Sequence, residues 1–138
     1  MNMCATFVSG ILNQYVLSGT LNKPATMAFG LTTVPPNANS ITEVPNTAGY
    51  ARQSYGPNTV SQTFWDYNIV LTGAYNRSPI SFPPCTAAIG MVSGFFIADS
   101  ATYGAGSNLW FGTLPTPTDL QINNQLVIPA SGALIRFG

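Results

Sequence analysis

Apolar residues at Phe7, Val8, Ile11, Leu12, Tyr15 and Val16 recur at i, i+1, i+4, i+5, i+8 and i+9, a spacing that lines one face of an α-helix. The pattern predicts a helix over about residues 5–18, with Thr6 as its N-cap and Gly19 as the left-handed residue that ends it. From about residue 24 onward the period changes to two. Ala25, Met27, Phe29 and Leu31 alternate with Thr26, Ala28, Gly30 and Thr32, as a half-buried strand requires. Further strand runs are YARQSY, FWDYNIVLTGAY, SPISFP (with Ile80 and Phe82 on one face), AIGMVSGFFIAD and NLWFGTL. The last segment, TPTDLQINNQLVIPASGALIRFG, reads as a loop followed by two short strands. The stretch TVPPNANSITEVPNTAG has no period and predicts a long exposed loop. Short strands at intervals of roughly 8–12 residues predict a mainly β fold. The expected architecture is a β-sandwich or barrel-like domain of short antiparallel strands with one N-terminal α-helix.

Length and composition narrow this further. The 138 residues suit a single β-rich domain over 1–138. Hydrophobic residues make up 46% of the chain and charged ones only 6%, against roughly 25% charged in ordinary soluble domains. The cations Lys23, Arg52, Arg77 and Arg136 and the anions Glu43, Asp66, Asp99 and Asp119 are scattered singly. Without clustered Lys and Arg, neither nucleic acid nor an anionic membrane surface is an expected partner. Zero net charge favours association with other protein. The N-terminus makes a poor signal peptide, and the longest apolar run, GMVSGFFIA, is far short of the roughly 20 residues of a membrane span. Cys4 and Cys85 are read as two free, mostly buried thiols. The NRS at Asn76 is read as a chance match to the glycosylation sequon.

Candidate chemistry is sparse. The chain has no histidine, which removes the commonest general base and zinc ligand. Asp66, between Trp65 and Tyr67, is read as a turn cap beside packing rings rather than half of a hydrolytic carboxylate pair. Asp99 is read as ordinary turn chemistry, and Glu43 and Asp119 as solvated loop residues. YGAGSN joins two strands, so Gly104 and Gly106 are positions needing positive φ rather than a dinucleotide fingerprint. No enzyme activity, cofactor or metal is expected. Among the aromatics, Phe29, Phe82, Phe95, Phe96 and Phe111 are assigned to the core. Tyr50, Tyr55, Trp65, Tyr67, Tyr75 and Tyr103 lie beside polar residues or in loops and are the interface candidates.

The order of segments carries a resemblance. GYARQ, GFFIADSA, LWFG and LVIPASGAL, placed after an N-terminal ILNQYVLSG helix, resemble a family of small bacteriophage virion proteins. Its members are often labelled tail-fibre proteins, and some are capsid cement or decoration proteins. The resemblance spans nearly the whole chain, and none of its motifs is catalytic. It implies a many-copy component of the capsid surface, assembled in the host cytoplasm, that binds the major capsid protein and forms a homo-oligomer (a trimer, or else a dimer). The alternative it leaves is a tail-fibre or tail-tip component that binds a host surface glycan through the segment PNTVSQTFWDYNIVLTGAYNR, which is additional to the core pattern. Glycan binding lost on Trp65→Ala would favour that alternative.

Overall fold

The computed structural model describes residues 1–20, 23–57, 63–68 and 73–136. In chain order the elements are β1 (Asn2–Met3), α1 (Ala5–Val16), β2 (Ala28–Thr32), β3 (Gln53–Ser54), β4 (Trp65–Asn68), β5 (Gly73–Asn76), β6 (Ile80–Ser81), β7 (Gly90–Ala98), β8 (Asn108–Leu120), β9 (Val127–Ile128) and β10 (Leu134–Arg136). All pairings between these strands are antiparallel. A five-stranded sheet has the order β1-β8-β7-β2-β3, a three-stranded sheet β10-β5-β4, and a two-stranded sheet β6-β9. The mainly β fold with one N-terminal helix is therefore as the sequence predicts.

The large sheet is buried on both faces, which the simple alternation in β2 does not anticipate. Every residue of β2 is buried. On one face Phe29, Leu31, Phe95 and Ile97 meet Trp65, Ile80, Ile128 and Ile135 from the two smaller sheets, a sandwich arrangement. Phe29 stacks on Trp65 with ring centroids 5.8 Å apart. On the other face Cys4, Phe96, Ala98 and Phe111 form a second cluster closed by Ile41. Gly30 is small for a reason: a Cβ there would lie 2.3 Å from the tip of the Phe96 ring. All five phenylalanines assigned to the core are buried.

The central hairpin, β7 with β8, forms the backbone of the sheet, with Phe96 opposite Phe111 and Ile97 opposite Trp110. The register then slips. Thr113 faces Gly94 and Thr118 faces Val92, so Leu114–Pro117 bulges out opposite Ser93 alone. Pro115 and Pro117 sit in this bulge, where a missing N–H breaks no ladder bond. The run NLWFGTL stops at Leu114, before those prolines, whereas β8 continues to Leu120.

The Pro/Asn stretch after β2 is the larger departure. It was expected to be an exposed loop, yet Val44 is fully buried. Its N–H donates to the Leu31 carbonyl at 2.9 Å, and Thr32 bridges to Glu43. Beyond Phe29 the sheet edge of β2 has no partner in β3, and this segment covers it. Isolated apolar anchors among prolines and asparagines give no periodic signal.

The helix ends differ from expectation too. Cys4, not Thr6, is the N-cap, and it makes no side-chain capping bond. Ser18, not Gly19, takes the left-handed conformation, with φ of 60°. Gly104 and Gly106 do adopt positive φ, at 68° and 79°. Cys4 and Cys85 are free and buried, as expected. Burial raises the Cys4 thiol from 9.0 to about 11 and pushes Cys85 in the same direction.

A prediction follows from the thiols. In the unfolded chain they lose their protons first, so the stability tied to the neutral forms is complete below about pH 9. It is lost as pH rises through about 11. Thermal melts should fall progressively over that window, and a thiol reagent should titrate both cysteines only after unfolding.

Candidate interaction surface

Six aromatic positions were singled out, and the structure divides them. Tyr50 and Trp65 are buried and Tyr55 is half-buried. Tyr55 stacks on Phe64 at 4.6 Å, and its hydroxyl accepts the Ser81 N–H at 3.2 Å. Tyr75 is half-buried on β5, while Tyr67 and Tyr103 are exposed. Tyr67 and Tyr75 belong to the β4–β5 ribbon, where Tyr75 pairs with Asp66. The Asp66 carboxylate accepts the Tyr67 N–H at 2.8 Å and the Tyr75 hydroxyl at 3.3 Å. It lies in a strand rather than capping a turn. Residues 58–62 and 69–72 of the same additional segment lie outside the described residues.

Tyr103 meets the Tyr50 ring edge-on at 6.4 Å, beside a polar hub that no local sequence pattern marks. Glu43, expected in solvent, forms a bidentate pair with Arg52, with Nε–Oε1 and Nη2–Oε2 both 2.7 Å. The two side chains are only 10% and 3% exposed. Arg52 Nη1 donates to the carbonyls of Ser100 and Ala105 at 2.9 and 2.8 Å, and the guanidinium lies 5.0 Å over the Phe96 ring. Glu43 also accepts the Tyr50 hydroxyl at 2.8 Å and the Gly104 N–H at 3.3 Å. The Tyr50 hydroxyl accepts the Leu31 N–H at 3.0 Å.

The hub therefore ties the β7–β8 loop, the Pro/Asn segment and the edge of β2 together. Burial alone would lower the Arg52 pKa, but the hydrogen bonds and charge of Glu43 outweigh it and raise it. Burial, with the Glu43 charge, pushes the Tyr50 hydroxyl well up. In the sequence the trace of this pair is that two of the eight charged residues lie in and just after the same loop.

The remaining carboxylates stand on separate elements. Asp99 closes the β7–β8 loop by accepting the Ser107 N–H at 2.7 Å. Asp119 accepts both of its side-chain contacts from Gln121. Among the described residues no three His, Cys, Asp or Glu side chains gather as a metal site needs. Among them, too, no helix is long and apolar enough to cross a membrane.

Among the described residues the most exposed apolar surface is at α1 and the Leu17 that follows it. Phe7 packs edge-on against Trp110 with centroids 4.6 Å apart, which fixes one side of the helix to β8. No helix residue is fully buried. Leu12, Tyr15, Val16 and Leu17 are 54%, 79%, 69% and 73% exposed. The six apolar positions mark the face in the sequence, but their spacing does not say which of them stay exposed.

A family model for podophage GP4 fiber I protein gp80 matches residues 2–136. The chain belongs to this family. It is thus a structural protein of a phage virion in the fibre class, which agrees with the resemblance drawn from GYARQ, GFFIADSA, LWFG and LVIPASGAL. No curated protein matches it.

Proposed function

We propose that the chain is a non-catalytic fibre subunit of the virion that works by adhesion to other protein. The observation that carries this is the division of its side chains. The carboxylates and the buried cation serve internal contacts, while an uncharged apolar helix end is left in solvent. The family description, which names a fibre, supports that location. On this reading Tyr67, Tyr75 and Tyr103 are the aromatic contact positions toward an outside ligand such as a host-surface glycan. Trp65 serves the core, so loss of binding in Trp65→Ala would report on folding, and Tyr67→Ala is the informative variant.

Decoration of the capsid surface through the major capsid protein is a second reading. The 6% charge content favours it, since apolar and neutral polar contacts persist across salt. Quantitative mass spectrometry of purified particles with immunogold labelling separates the two. Label confined to fibres at low copy number is expected. Label over the whole capsid, at a copy number comparable to the major capsid protein, would replace the first reading with the second. Absence from particles would end both.

A further inference from the structure

We infer that the outer stripe of α1, made by Val8, Leu12, Tyr15 and Val16, is a self-association surface that packs antiparallel against the same helix of a second copy. The inference deepens the fibre-subunit reading and rests on it for its biological setting. The four positions fall at i, i+4, i+7 and i+8, a seam that a second helix fits. Leu12, Tyr15 and Val16 stay exposed, while Phe7 at the edge of the same apolar face packs on Trp110 and Val8 is half-buried. A shallow groove that Val8 and Leu12 share with Ala5, Ser9, Gly10 and Ala38 offers small side chains for close approach.

Three observations select a second copy as the occupant. First, no Lys, Arg, Asp or Glu occurs before Lys23, so the face carries no charged side chain to choose an acidic or basic partner. An identical uncharged face meets it without desolvating a charge. Second, the helix has no capping side chain at its N-terminus, no acid in its first turn and no base in its last. No charged side chain in its own end turns offsets its macrodipole. An antiparallel neighbour sets each positive end against a negative one, whereas a parallel bundle sets like ends together. Third, the exposed parts of Leu12, Tyr15, Val16 and Leu17 present on the order of 500 Å² of apolar surface, and a stable complex hides about 800 Å² per partner. A two-fold contact uses the same patch on both copies, and the groove beside the seam brings the total toward that figure.

The test is sedimentation and native mass spectrometry of the full chain across the micromolar range. The wild type is expected to dimerise. Tyr15→Glu and Val16→Asp, each at a solvent-exposed position, should weaken the dimer roughly 100-fold or more with unchanged circular dichroism and melting. Cysteine pairing gives the orientation, because Cys4 and Cys85 are buried. Mixed Val8→Cys and Val16→Cys chains should form a cross-disulfide, and neither alone should.

A wild type that stays monomeric, or a dimer indifferent to both charged variants, overturns the inference. So does Val16→Cys linking to itself, or a three-copy species, either of which indicates parallel helices. If the wild type is monomeric and Val16→Asp is excluded from particles, another virion protein covers the face and the inference fails. A wild type that dimerises but is absent from particles leaves the inference standing and removes the fibre reading.

Discussion

Arg52→Ala should destabilise the fold by about 3–5 kcal/mol, because it strands a buried carboxylate without its partner. Glu43 would keep only the Tyr50 hydroxyl and the Gly104 N–H, while the carbonyls of Ser100 and Ala105 would lose their shared donor. In urea the midpoint should fall by about 2 M. Arg52→Lys should recover only part of this, since an ammonium cannot span both carboxylate oxygens and two carbonyls in one plane. The double variant Glu43→Leu with Arg52→Met should cost less than Arg52→Ala alone, because no buried charge is left unpaired. If the single and double variants were equally damaging, the hub would matter through packing on Phe96 rather than through charge.

Asn76 should be almost as sensitive. It is fully buried, and its amide nitrogen donates to the carbonyls of Ser78 and Pro129 at 2.9 and 2.8 Å. Its amide oxygen accepts the Ala133 N–H at 2.8 Å. One side chain thus splices β5 to the turn before β10. Asn76→Ala removes three hydrogen bonds and leaves the buried Ala133 N–H unsatisfied, and should cost about 2–4 kcal/mol. Asn76→Asp should be worse at neutral pH, since a carboxylate would face two carbonyl oxygens. Protonation restores one donor, so its deficit from wild type should be smallest below about pH 4, where the unfolded chain is protonated too, and widen as pH rises above that. Denaturant titrations at acidic and neutral pH check the sign. The same burial means that the NRS sequon is spent on structure in the folded chain.

These two residues show where the sequence was legible and where it was not. Long periodic runs carried their own evidence: α1, β7 and the start of β8 follow from spacing alone, because each repeats an apolar position often enough to specify a face. The motifs for GFFIADSA and LWFG sat on those same runs, which is why the family could be named from them. What could not be read were contacts between residues far apart in the chain. Asn76 with Pro129, and Arg52 with Ala105, are joined only by the fold. Glu43 looked solvated because its neighbours are prolines and asparagines, and nothing local shows that the edge of β2 needs a cover. Exposure of the outer side of α1 was equally hidden, since periodicity marks an apolar face without saying what covers it.

The bulge at Leu114–Pro117 has a consequence for crowding. Among the described residues, the two-residue β1 pairs with the outer margin of β8 at Phe111 and Trp110, and the Cys4 N–H donates to the Leu109 carbonyl beside them. A long flat margin of that kind would invite neighbouring molecules to zip together backbone to backbone. Pro115 and Pro117 remove two donors and twist the strand away, so molecules held at high local density meet through side chains and remain individually folded.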